Sequence, residues 1–102
     1  MGEFVTVAGA AEVGDGELAA FDAAGERVAV ANVSGQLHAF GDTCTHVGCS
    51  LAGGSLDGTV VICPCHGSRF DVTTGQLLRG PAQTPVRSYS VRIENQALQI
   101  EI

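Results

Sequence analysis

The chain has 102 residues, 45% of them apolar, and carries 11 acids against five arginines and no lysine, a net charge of −6. That length fits one small domain, residues 1–102, with a core that covers only a modest share of its surface. The charge balance argues against nucleic acid, which needs clustered cations to displace counterions, and against an anionic membrane surface. No run of 18 apolar residues marks a transmembrane helix.

Taken in chain order, short β-branched runs separated by glycines predict an all-β fold. Strands are expected at Glu3–Ala8, Glu17–Phe21, Arg27–Val33 and Gln36–Phe40. Further strands are expected at Thr59–Cys63, Arg69–Asp71, Val86–Ile93 and Ala97–Ile102. Ser34-Gly35 reads as a two-residue hairpin turn, with further turns at Asp57-Gly58 and Glu94-Asn95-Gln96. Ala10–Gly16 reads as a loose turn or loop, and Leu98, Ile100 and Ile102 alternate with polar residues as in a half-buried strand. Residues 42–54 hold no convincing strand. A loop that long in a compact domain is commonly functional.

The chemistry lies in two boxes, Cys44-Thr45-His46-Val47-Gly48-Cys49 and Cys63-Pro64-Cys65-His66-Gly67-Ser68. They hold every cysteine of the chain and two of its three histidines. The pattern C-x-H followed by C-x-x-H supplies two thiolates and two imidazoles, the mixed donor set of a [2Fe–2S] centre in which histidines replace two cysteines on one iron. Cys44 and His46 project to one side of an extended segment. Cys63 and His66 are close enough in a tight turn to serve the same cluster. Cys44 and Cys63 are assigned to one iron, His46 and His66 to the other.

Pro64 fixes φ within the second box, and Gly48 and Gly67 admit close or left-handed backbone. Two thiolates leave an oxidised cluster neutral, so adding an electron costs less than with four thiolates. The potential is then expected in the range of roughly −150 to +300 mV, against about −400 mV for plant-type ferredoxins. If the cluster clamps both loops, Cys49 and Cys65 meet. A disulfide between them is expected to latch and shield the site, worth about 3 kcal/mol on the chain-entropy estimate. A zinc site is the competing reading, although zinc sites usually show C-x₂₋₄-C knuckles. His38, in a predicted strand, reads as an ordinary surface or core histidine.

The boxes resemble those of the Rieske family, in particular its disulfide-bearing branch with C-T-H-L-G-C and C-P-C-H-G-S. The resemblance covers roughly the last two thirds of the chain, and Gly80-Pro81-Ala82 is similar to the family's proline loop. It implies an antiparallel β-sandwich or incomplete barrel with a small cluster-binding subdomain at about residues 42–82, and one [2Fe–2S] cluster. By position, Ser68 would donate a hydrogen bond to a bridging sulfide. Phe70 falls where high-potential members carry a tyrosine that donates to a cluster cysteine, here Cys44, which implies a lower potential. Val47 takes the place of a leucine at the docking tip.

The implied function is one-electron transfer rather than catalysis, since only His38 is left to build a second iron site. The expected role is a soluble ferredoxin between a flavin reductase and a terminal oxygenase, steered by its acidic charge to a basic patch on a partner. The alternative is a high-potential subunit of a quinol- or arsenite-oxidising complex with a cytochrome partner. A redox sensor working through Cys49 and Cys65 is a third class, and it requires an exposed pair poised for exchange. A cytoplasmic location is expected if Met1 is the natural start, and a periplasmic or membrane-associated one if a targeting segment has been removed.

Overall fold

A computed structural model describes residues 2–9, 11–45 and 48–102. In chain order the strands are β1 (Phe4–Gly9), β2 (Leu18–Ala23), β3 (Glu26–Val33), β4 (Gln36–Gly41), β5 (Ser55–Asp57), β6 (Val60–Ile62), β7 (Arg69–Asp71), β8 (Leu77–Arg79), β9 (Ser88–Tyr89), β10 (Val91–Glu94) and β11 (Ala97–Glu101). Leu51–Gly53 adds one 3-10 turn. The strands form three antiparallel sheets, ordered β1-β11-β10, β2-β3-β4-β9 and β5-β6-β7-β8.

The β2-β3-β4-β9 sheet is covered on both faces, and its sequence shows why. Val28, Ala29, Val30 and Ala31 are all wholly buried, a continuous apolar run rather than an alternating one. Side chains alternate across a strand, so Val28 and Val30 join Leu98 and Ile100 in one core, while Ala29 and Ala31 join the other. That second core holds Phe40, Phe70, Val61 and Leu51 together with Cys44 and Cys63. Alanine on this face leaves room for the two phenylalanine rings.

Tight turns set the strand register. Ala24-Gly25, Ser34-Gly35 and Asn95-Gln96 each place both central residues at positive φ, between 52° and 90°, the twist a two-residue hairpin needs. Asp22 and Asn32 support two of these turns by accepting from the N–H of Gly25 and Gly35.

The all-β reading holds, with three departures. The strand expected at Val86–Ile93 is two strands, because the chain leaves the β4 edge after Tyr89 and joins β11 from Val91. β5 and β8 were not foreseen. Each has three residues, too few to show a period, and β8 also carries an irregularity against β7 that breaks alternation at Leu78.

Candidate metal centre

The described residues of both boxes share one frame of two backbone hydrogen bonds. In the first, the Cys44 N–H donates to the Cys49 carbonyl at 2.8 Å and the Gly48 N–H to the Cys44 carbonyl at 3.0 Å. In the second, the Cys63 N–H donates to the Ser68 carbonyl at 2.8 Å and the Gly67 N–H to the Cys63 carbonyl at 3.1 Å. Gly48 and Gly67 occupy the same position and the same left-handed conformation, φ 80° and 78°, where a Cβ would be strained. Each frame puts a cysteine at its base, and both are buried: Cys44 is 1% exposed and Cys63 3%. The frames differ in where histidine sits, at the third position in the first box and the fourth in the second. His66 is exposed. His46 and Val47 lie outside the described residues.

Three loops meet here, and links among the described residues join each pair. Cys49 and Cys65 form a disulfide between the two boxes, with Cα atoms 6.5 Å apart. The Ala82 N–H donates to Ser68 Oγ at 3.0 Å, tying the second box to the loop that begins with the cis Gly80-Pro81 bond. Thr45 Oγ1 donates to the Thr84 carbonyl at 2.7 Å, tying the first box to that same loop. The disulfide lies at the surface: Cys65 is exposed and Cys49 half-buried. The pairing is the one expected, and it joins the two loops. The sulfurs bridge the loop tips, whereas Cys44 and Cys63 sit at the loop bases in the core.

A buried carboxylate braces the first box from below. Asp42 is 1% exposed. It accepts from Ser50 Oγ at 2.7 Å, the Ala52 N–H at 2.9 Å and Arg27 Nε at 3.3 Å. The Leu51 N–H donates to its carbonyl, and Thr43 bridges Ser50. The chain entering the box is thus fastened to the chain leaving it. At the neighbouring sheet edge Tyr89 donates to Glu26 at 3.2 Å. Partial burial, and then the Glu26 carboxylate, hold its phenol above the usual value.

Residues 3–90 match the profile of the Rieske [2Fe–2S] domain. The chain belongs to the Rieske [2Fe–2S] family. It is 33% identical over 91 residues to the ferredoxin component of the naphthalene 1,2-dioxygenase system of Pseudomonas aeruginosa, covering 89% of this chain and 88% of that one. It is 36% identical over 96 residues to the cytochrome b6-f complex iron-sulfur subunit of Chlorobaculum thiosulfatiphilum, covering 94% of this chain and 52% of that one. Among solved structures it superposes, with TM-score 0.88 and 32% identity, on a chain of the complex of reduced oxygenase and oxidized ferredoxin in carbazole 1,9a-dioxygenase, covering 96% of this chain and 92% of that one.

The Rieske cofactor is a [2Fe–2S] cluster, and the donor chemistry fits it. Two buried thiols lie outside the disulfide. Ser68 is wholly buried and its Oγ accepts from Ala82, while its own O–H has no acceptor among the described residues. A buried hydroxyl whose proton is not committed to a described acceptor matches the need of an inorganic sulfide. Phe70, also wholly buried, shares the core cluster of Cys44 and Cys63 and has no group to donate. Pro81 is exposed while Ala82 is buried. Sequence reasoning missed Asp42 and Thr45. The only signal for Asp42 was an acid two residues ahead of Cys44, with Ser50 just beyond Cys49.

Proposed function

We propose that this chain is a one-electron carrier, the ferredoxin component that passes electrons from a flavin reductase to a terminal oxygenase and is not itself an enzyme. The reading treats residues 1–102 as a single domain with a cluster-binding subdomain at about 42–82. The observation that carries it is the asymmetric cage: cysteines buried at the loop bases and His66 exposed at the rim. When bound, the [2Fe–2S] cluster supplies reversible one-electron storage.

Cys44 and Cys63, both buried, would hold one iron through thiolates. His46 and His66 would hold the other through neutral imidazoles, which favour Fe²⁺. Ser68 donates toward a sulfide, Gly80 and Pro81 roof the third side, and Val47 offers an apolar docking contact. The cytoplasm is the compartment implied. Supporting this reading are the ferredoxin of an aromatic dioxygenase system, matched across most of both chains, and the oxygenase–ferredoxin complex.

The Cys49–Cys65 disulfide favours a second reading, a high-potential Rieske subunit of a quinol- or arsenite-oxidising complex, and the cytochrome b6-f relative points the same way. A redox titration from about pH 6 to pH 11 with EPR of the reduced protein separates the two. The ferredoxin reading expects a Rieske signal and a potential near or below about −100 mV, flat through neutral pH. A potential well above 0 mV that falls by up to ~59 mV per pH unit from neutrality overturns it in favour of the second. Phe70→Tyr is expected to raise the potential if its ring reaches Cys44, and no shift would mean that the ring lies elsewhere in their shared core.

A further inference from the structure

The net charge of −6 is not spread evenly. Residues 42–90 carry Arg69, Arg79 and Arg87 against Asp42, Asp57 and Asp71, a balance of zero. The remainder carries two arginines and eight acids, so the whole negative charge lies away from the stretch that builds the metal centre. Within that stretch Asp42 is already engaged, paired with Arg27 at 3.3 Å.

Register then places two arginines side by side. Across the third sheet, Ser55 pairs with Ile62, Ile62 with Arg69, and Arg69 with Arg79. The next row, Leu56, Val61, Phe70 and Leu77, packs into the core, so Arg69 points to the outer face, and Arg79, exposed, lies opposite it across the irregularity at Leu78. Asp57 and Asp71 lie two positions farther along their strands. Ile62 runs directly into Cys63, Arg69 follows Ser68, and Arg79 precedes Gly80-Pro81. The pair therefore borders two of the three cage loops.

Like charges directly opposite each other destabilise a sheet, and Asp57 and Asp71, on the same face, make no ion pair with either arginine. Among the described residues neither Arg69 nor Arg79 makes an ion pair or a side-chain hydrogen bond. Arg79 is exposed, and beside it Leu78 is 48% exposed. Two forked donors flanking an apolar residue suit a carboxylate-bearing protein surface.

We propose that Arg69 and Arg79 form a carboxylate-binding rim that docks an acidic patch of the redox partner beside the cage. The proposal rests on the electron-carrier reading and deepens it by naming the partner's surface. It reverses the expectation, drawn from net charge alone, that the chain seeks a basic patch. The acidic remainder of the molecule is repelled by such a partner, so the rim is turned toward it during approach.

The test uses ferricyanide, a trianion, to oxidise the reduced holoprotein in a stopped-flow instrument. One electron leaves the protein and ferricyanide becomes ferrocyanide. Raising ionic strength from about 10 to 100 mM shrinks the screening length from ~30 to ~10 Å. A rim of positive charge makes the wild-type rate fall with salt even though the protein is an anion. R69Q/R79Q is expected to lower the low-salt rate by about tenfold and to reverse the salt slope. Arg92→Gln, a neutralisation on the far sheet, is expected to keep both.

A second readout needs no electron transfer: the side-chain N–H signals of Arg69 and Arg79 are expected to shift with redox-inert hexacyanocobaltate(III), and those of Arg92 not to. A wild-type rate that rises with salt, an unchanged slope in the double variant, or arginine signals that ignore the anion would each overturn the rim. A reduced protein with no Rieske EPR signal would instead overturn the electron-carrier reading, while the arginine spectra still decide the rim.

Discussion

Where the β1-β11-β10 sheet meets β3, the joining residues are apolar and wholly buried: Val28, Val30, Leu98 and Ile100. Where the three loops meet, the links among the described residues include a disulfide, a serine that accepts an N–H, and a threonine that reaches a carbonyl. A buried Leu or Val contributes about 1.5–3 kcal/mol, whereas a single neutral hydrogen bond contributes about 1 kcal/mol net. Apolar burial therefore holds the sandwich, and the rim of the cage rests on the disulfide and a few hydrogen bonds. The division falls within the cage itself: Cys44 and Cys63 are fixed at its base by the core of Phe40, Phe70, Val61 and Leu51, while its rim is left to the polar links and the disulfide.

The largest expected effect separates the two regions outright. Cys63→Ser or His66→Ala is expected to abolish the Rieske EPR signal while leaving the strand signature in far-ultraviolet circular dichroism. An unchanged EPR spectrum in either variant would remove that residue from the ligand set. Leu98→Ala is expected to do the reverse, costing about 2–5 kcal/mol through the cavity it leaves. Its denaturation midpoint should drop steeply, and the EPR line shape of the protein that remains folded should match wild type. A line shape altered by Leu98→Ala would mean that the two cores are coupled.

Cys49→Ser comes next, at up to about 3 kcal/mol. The cluster is expected to assemble and then to be lost faster on heating, as followed by the decay of visible absorbance. The bond lies at the loop tips with Cys65 exposed, so the same loss is expected when wild type is treated with a strong thiol reductant. Equal cluster lifetimes before and after reduction would show that the other two links suffice. Asp42→Ala is smaller, about 1–3 kcal/mol for a buried hydrogen-bonded group whose partners are left unmet. Its mark is specific to the first box: broadened EPR features, with the β-sandwich unfolding transition shifted only by that amount.

The boxes were legible because their chemistry is contiguous: cysteine, histidine and glycine stand a few residues apart, and spacing alone implies a shared metal. Most strands were legible for the same reason, since β3 and β11 carry their pattern locally. What escaped depends on contacts between distant residues. Thr45 reaches Thr84 across 39 positions, and Asp42 gains its role only when Ser50 and Ala52 fold back on it. The split at Ser90 escaped because Val86–Ile93 keeps strand-like composition while changing sheets. Composition reported the charge, but the pairing of Arg69 with Arg79 required the register of β7 against β8.

The smallest effect lies in the turn between β7 and β8. Asp71 Oδ1 accepts from the Thr73 hydroxyl at 2.6 Å and from the Thr73 N–H at 2.9 Å. These two bonds, the hydroxyl first, hold its carboxyl below the usual carboxylate value. The folded chain then binds that proton more weakly than the unfolded chain does. Stability from this group is complete above the ordinary carboxylate range and is lost as pH falls through the lower folded value. The turn is open to solvent, which screens the interaction. Thr73→Val removes the hydroxyl and keeps the N–H, so the stability curve between about pH 2 and pH 6 should become slightly shallower on its acid side, with the plateau lowered least of all the variants. A curve parallel to wild type would show that the N–H alone sets the carboxyl. Because the turn lies outside all three links of the cage, the EPR spectrum should not move, and a change there would extend the cage to the far end of the third sheet.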